Sequence, residues 1–200
     1  MAIKTANNQS MTAITSLPSG VSAKSMILLA TETASSSATI SFTSNIDDTY
    51  SEYIFKFIDI HPATDGAVFS FQADTGTNTS YNQTTTTTYF QANHNEGDTA
   101  TNLGYETSLD QAQGTAFQRI GKVGNGNDES CAGYLHLFNP SSTTFVKHFI
   151  SNVQNYHNAD YSTQDFVAGY FNTTTAITRV QFKMDSGNID AGTIKMYGVA

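Results

Sequence analysis

The sequence predicts an all-β protein, an antiparallel β-sandwich of jelly-roll type with an extended N-terminal arm. Three observations carry this expectation. Apolar residues recur with period two in several short runs, the runs are separated by breaks rich in Gly, Asn and Asp, and no long helical periodicity interrupts them. Composition agrees: the 200 residues include 13 Phe and 10 Tyr but no Trp and three Pro, and only 13% are charged. Thr and aromatic residues favour half-buried pleated surface. An immunoglobulin-like sandwich is the alternative, weakened by the missing Trp and the single cysteine. This length suits one large β domain whose core needs no staples. The division expected is an arm over residues 1–24 and one sandwich domain over 25–200.

The arm is polar apart from isolated apolar anchors, Ile3, Met11, Ile14, Leu17 and Val21, with a break at Pro18 and Gly20. It has too few apolar residues to fold alone and too many for a purely solvated tail, which suits docking on a neighbouring chain. "MILLATETASSSATISFTS" then reads as an apolar edge followed by a strand with Ala38, Ile40 and Phe42 on one face. In "YSEYIFKFIDIHP", Tyr53, Phe55 and Phe57 alternate with Ile54, Ile58 and Ile60, which predicts a central strand covered on both faces. "HPATDG" is a turn, and "AVFSFQAD" a strand with Ala67, Phe69 and Phe71 inward. From residue 75 to 102 the pattern loosens around a Thr run that suits a strand. "LGYETSLDQAQGTAF" has no clean period and reads as a helical turn or a long loop.

"GNGNDE" is a loop, and "SCAGYLHLF" and "TFVKHFISNVQNY" are strands across the turn "NPSST", a hairpin that would set His136 opposite Lys147. "QDFVAGYFNTT" is the next strand. The chain closes on "ITRVQFKMDSGNIDAGTIKMYGVA", read as a terminal hairpin. Val180, Phe182 and Met184 take one side, Ile194 and Met196 continue it, and Gly187 and Gly192 shape the elbow. The total expected is about seven to ten strands.

A net charge of −8 and no basic run argue against a nucleic-acid partner. Cys131, the only cysteine, excludes an intrachain disulfide and suits a small core residue. The first residues lack the apolar core of a signal peptide, and "MILLA" is too short to span a bilayer, so no membrane insertion is expected. The four N-glycosylation sequons are what an Asn- and Thr-rich chain produces by chance. No G-x-S-x-G elbow is present and the five histidines fall in unlike contexts, so no hydrolytic activity is expected. His136 and His148 are read as packed, neutral side chains on adjacent strands. Acidic residues gather in loops (Asp47 with Asp48, Asp74 near Asn78, Glu96 with Asp98, Asp128 with Glu129, Asp185 with Asp190) without an EF-hand spacing. They read as solvated turns, and no cofactor or metal is expected, with calcium left open. Tyr81, Tyr89, Tyr105, Tyr156 and Tyr161 lie in or near polar segments, where a tyrosine can stack on a sugar ring or seal a subunit contact.

The N-terminal twenty residues, the segment from "TASSSATISFTS" to "HPATD", and the C-terminal run together resemble structural proteins of tailed bacteriophages, especially from marine viruses. That group shows an early "A-T-I-x-F…Y-x-x-Y-x-F" strand pair, matched here by residues 38–42 with Tyr50, Tyr53 and Phe55. It also shows a terminal "S-G-N-[IF]-x-x-G-T-[IL]-x-x-Y-G" hairpin, matched by residues 186–198. The resemblance implies a virion component, a capsid decoration, fibre or tail protein, assembled in the host cytoplasm. Its partners would be copies of itself, as in a trimer, and other virion proteins. The alternative it allows is a receptor- or glycan-binding module on a fibre, with a host surface glycan as partner. No catalytic residues come with it, and no enzyme is expected. Deleting residues 2–22 should leave the sandwich folded, with an unchanged melting temperature, while abolishing oligomerisation or particle incorporation. A truncated chain that assembles normally would remove the arm from the interface.

Overall fold

Side chains two positions apart on a strand share a face, and in this molecule that rule separates one continuous core from two outer surfaces. The computed structural model describes residues 26–199. The arm anchors Ile3, Met11, Ile14, Leu17 and Val21 lie outside the described residues. Thirteen strands and no helix are described: β1 (Met26–Thr33), β2 (Ile40–Phe42), β3 (Glu52–Pro62), β4 (Ala67–Thr75), β5 (Thr85–Asn95), β6 (Thr101–Tyr105), β7 (Ala112–Gly114), β8 (Gln118–Val123), β9 (Cys131–Phe138), β10 (Lys147–His157), β11 (Tyr161–Phe171), β12 (Ile177–Met184) and β13 (Ile189–Val199). The strand total exceeds the expected number because short edge pieces such as β6 and β7 carry no apolar alternation to announce them.

Every pair is antiparallel, and the strands form two packed sheets, a β-sandwich. The large sheet has nine strands in the order β1-β13-β3-β9-β10-β11-β5-β6, with β7 also on β5; the small one runs β2-β12-β4-β8. With β5, β6, β7, β10 and β11 set aside, the remaining eight strands pair first with last. β1 pairs with β13, β2 with β12, β3 with β9, and β4 with β8. The five strands set aside widen the large sheet well past the small one.

The core centres on Phe182 of β12. Five rings lie within 6.3 Å of it, those of Phe42, Phe55, Phe57, Phe69 and Phe71, mostly edge-on or tilted, the arrangements that aromatic quadrupoles favour. Phe55, Phe57, Phe69, Phe71, Phe182 and Met196, the positions whose alternation points inward, are all buried. Cys131 is buried too, and burial pushes its thiol pKa up.

Four local expectations are corrected. The terminal run is no hairpin: β12 belongs to the small sheet and β13 to the large one. The elbow is therefore a corner between sheets, because alternation reveals a dry face but not the sheet that owns it. At this corner Gly192 has φ 115°, and a Cβ there would lie 2.5 Å from the Asp59 carbonyl oxygen. Strand β3 is fully covered on one face only; on the other, Ile54 is buried but Lys56 and Ile58 are exposed. Its register shifts between Phe57 and Ile60, with Asp59 at φ 50°, so Ile60 turns into the core while Ile58 stays outside. Ala38 precedes β2 and is exposed, whereas Ile40 and Phe42 point inward. Finally, His136 faces Ile150, not Lys147. Lys147 turns inward, where its ammonium donates to the carbonyls of Phe145 (2.9 Å) and Thr173 (3.1 Å). Burial lowers its pKa.

Where the large sheet outruns the small one, its inner face becomes polar. Asp165 on β11 is buried and accepts from Gln91 Nε2 (2.6 Å) and Asn155 Nδ2 (2.8 Å). Gln72 Nε2 donates to the carbonyls of Gln83 and Ala116, each at 3.0 Å, tying the loops that roof this region. Buried polar groups persist only when paired in this way. Burial raises the Asp165 pKa, and the bond from Gln91 opposes it in part.

Phe182→Ala should cost about 3–5 kcal/mol in denaturant unfolding, and a parent-like midpoint would refute the core. Gly192→Ala should destabilise by more than about 1 kcal/mol, since backbone blocks the new methyl and φ is unfavourable. Gly76→Ala should cost less, because there φ is 57° but nothing lies within 4 Å. For Asp165, a raised folded pKa means stability is full below the unfolded value and is lost as pH rises through the folded one. Asp165→Asn removes that loss, and Asn155, whose Oδ1 lacks a partner among the described residues, can turn to accept from the new amide. The variant should melt at or above the parent at pH 7, by about 2–4 °C per kcal/mol, with the gap closing towards pH 4. A gap that is constant with pH would show that Asp165 does not titrate in this way.

Candidate functional site: an apolar belt on the outer face of the large sheet

The outer face of the large sheet is read from its registers. One row runs Thr31, Lys195, Lys56, Tyr134, Asn152, Phe166, Phe90 and Tyr105, crossing eight strands in unbroken register. The adjacent row runs Leu28, Tyr197, Ile54, His136, Ile150, Ala168 and Thr88. An antiparallel sheet with one solvated face ordinarily alternates apolar-in with polar-out. Here many outward positions are also apolar. Ile150, Phe90 and Tyr134 are 49%, 42% and 38% exposed, and at the two sheet edges Leu28, Tyr105 and Leu103 reach 51%, 52% and 71%.

The belt is ordered within itself. Phe90 and Phe166 stack with centroids 4.7 Å apart and planes 8° apart, and Tyr134 meets His136 edge-on at 4.9 Å. A depression of about 330 Å³ opens between Phe90, Tyr134, Ile150 and Phe166. A second, of about 460 Å³, lies between Phe138, His148, Ile150 and Tyr170. His136 is bonded to Glu52 through Nδ1, and at the other end Asp110 accepts from the Tyr105 hydroxyl, so both of these bordering carboxylates are engaged. Lys56 and Lys195 stand directly opposite one another, a like-charge pair of the kind that destabilises a sheet. The Lys56 ammonium sits 5.6 Å from the Tyr197 ring centroid, and no ion pair among the described residues reaches either lysine.

The five tyrosines do not form one site. Tyr81 and Tyr89 are buried, at 5% and 0% exposure, and can serve neither as sugar platforms nor as contact residues. Tyr89 points inward from the middle of β5, and Tyr81, in the loop before it, donates its N–H to Asp74 Oδ2 at 2.8 Å. Tyr105 closes the belt at its edge, its hydroxyl donating to Asp110 at 2.6 Å. Tyr156 lines a polar cavity of about 730 Å³ at the turn end of β5, β10 and β11. Tyr161 lines a smaller one of about 180 Å³ with Gln91, Asn93, His157 and Thr163.

Nor are all the acidic residues solvated turns. Asp74 is fully buried and accepts from the N–H groups of Thr75 and Tyr81 and from Gln83 Nε2. Hydrogen bonds from Thr49 hold Asp47 below the usual carboxylate range. Among the described residues no group of three or more His, Cys, Asp or Glu side chains is placed to share a metal ion. His148 packs near Tyr170, with centroids 6.1 Å apart, rather than against His136.

The belt residues Phe90, Tyr134, Ile150 and Phe166 were not singled out by sequence reasoning. Their signal lies in adjacent apolar pairs, Tyr89 with Phe90, Phe149 with Ile150 and Phe166 with Val167, which put apolar side chains on both faces of a strand in a two-layer fold. No protein-family model matches the chain, and no curated protein matches it either.

Proposed function

We propose that this chain is a structural protein of a tailed-bacteriophage virion, a capsid decoration or a tail or fibre component, that works by self-association and by docking on other virion proteins. The carrying observation is the apolar belt on the outer face of the large sheet. A face of this composition is unfavourable in water, and contiguous exposed apolar patches of this kind mark interaction surfaces. The two full rows hold no carboxylate, so copies of a chain with net charge −8 meet there without acid-to-acid contact. The first-with-last strand pairing adds support. We read it as a jelly roll, a double-sheet fold used by viral capsid proteins, widened here by strands between its fourth and fifth and its sixth and seventh members. The resemblance of the early strand pair and of residues 186–198 to phage virion proteins points the same way. Assembly in the host cytoplasm and residence in the virion follow from this reading.

Sedimentation velocity on the full chain tests it. The parent should sediment as a discrete oligomer. Ile150→Glu and Phe90→Glu should shift it to monomer with an unchanged melting temperature, weakening association by at least about 30-fold, as charging a central contact of about 2 kcal/mol implies. A parent that is monomeric at high micromolar concentration, or variants that assemble as the parent does, would overturn self-association through the belt.

A further inference from the structure

The cavity around Tyr156 lies beyond the belt on the same sheet face, and its chemistry is different. Three chain segments build it. Strand β10 contributes Gln154 and Tyr156, two positions apart and so on one face, and Ser162 of β11 stands opposite Tyr156 in register. The turn after β5 contributes Glu96, whose N–H donates to the Asp160 carbonyl at 2.9 Å. The loop before β9 contributes Asp128 and Ser130, and the Ser130 carbonyl accepts from the Tyr156 N–H at 3.0 Å. Both loops are thus pinned to strand ends by backbone bonds, which gives the cavity a preformed shape. Its volume of about 730 Å³ falls within the range of small-molecule sites.

We infer that this cavity binds a neutral pyranose sugar, with the Tyr156 ring as its platform and Glu96, Asp128, Ser130 and Ser162 as its hydroxyl partners. Among the described residues no lysine or arginine lines it, and the one histidine of its wall, His94, is engaged with Asp98 at 3.1 Å, so Glu96 and Asp128 disfavour phosphates, sulfates and acidic sugars. A bare cation would want acceptors alone, whereas here acceptors stand beside hydroxyls that both donate and accept. The Ser162 oxygen already accepts from Gln154 Nε2 at 3.3 Å, which leaves its proton for a ligand. Each hydroxyl of a pyranose also donates and accepts, so vicinal pairs match this mixed wall, while the sugar's C–H face packs on the flat ring of Tyr156. A hydrogen bond to Glu96, reinforced by burial and by the charges of Glu96, Asp160 and Asp128, pushes the Tyr156 pKa up to about 12. The hydroxyl therefore remains protonated across the physiological range.

Saturation-transfer NMR on the full chain tests this, with the methyl pyranosides of glucose, galactose, mannose and N-acetylglucosamine as probes. Calcium chloride and L-arginine are the cation arms. At least one pyranoside should bind, and its affinity should fall at least tenfold in both Tyr156→Ala and Asp128→Asn. Asp128→Asn is isosteric, so it remains informative should Tyr156→Ala fail to fold. Ile150→Glu should bind the sugar like the parent, which separates failure of the cavity from failure of the belt. No binding of any pyranoside, binding unchanged in Asp128→Asn, or saturable binding of calcium or arginine in place of the sugars would each overturn the inference.

Discussion

The constraint on which the rest of the structure depends is the mismatch in width between its two sheets. Four strands of the small sheet face nine of the large one, so a continuous apolar core forms only where they overlap, around Phe182. Beyond the overlap the aromatic chain continues for two steps, Phe71 to Phe149 at 5.0 Å and Phe149 to Phe171 at 5.1 Å. It then gives way to amides, hydroxyls and the buried Asp165. Loops cannot supply an apolar roof without burying their own backbone groups. Gln72, Gln91 and Asn155 therefore meet the loop carbonyls and the carboxylate instead. The polar inner face is the local answer to having too little small sheet.

The same mismatch shapes the outside. A large sheet covered on one side leaves much of its other side open among the described residues, and strand β8 of the small sheet packs mainly on β10 and β11, reaching β5 through the Thr87–Gln118 hydrogen bond. On that open side the side chains of Phe90, Phe166, Tyr134 and Ile150 lie in register with no covering layer among the described residues. Burial of apolar area is worth roughly 25 cal/mol per Å², so an ordered, uncovered aromatic surface is a free-energy source that association can draw on. The lysine pair at its β3 and β13 end costs stability in an isolated chain. Under the proposed reading a partner's acceptors would relieve that cost.

Period-two alternation made the core legible. It placed Phe55, Phe57, Phe69, Phe71 and Phe182 inside because each of those strands has one dry face that repeats. It did not make topology legible: Thr31 and Lys195 are partners across the length of the domain, and nothing local in either segment records it. Hence the last two strands looked like a hairpin when they turn a corner between sheets. Bulges escaped for a related reason, since the shift at Asp59 that carries Ile60 inward leaves the residue types of "FIDI" unchanged. The tyrosines misled because a polar neighbourhood in sequence is not an exposed one in space: Tyr89 sits in a Thr-rich run and is fully buried. The doubly apolar strands were visible, but in a sequence read alone they suggest another layer of the same chain.

That misreading of β3 has physical content. Ile58 lies on the outer side of a strand whose inner side is already filled by Phe55 and Phe57, and at 40% exposure nothing among the described residues covers it, although Ile54 on the same side is already buried. An outer layer is what the residue pattern asks for, and in the proposed assembly a second molecule provides it. Electrostatics permits this, because the acidic excess is held away from the belt. Glu52 is engaged by His136, Asp165 and Asp74 are buried inside, and Glu96, Asp128 and Asp160 gather around the polar cavity at the turn end. Repulsion between like-charged copies is therefore weakest where the apolar surface is richest, and the acidic end stays in water. One sheet face can in this way carry both an association surface and a ligand cavity, since charge and hydrophobicity are sorted along its strands instead of being mixed.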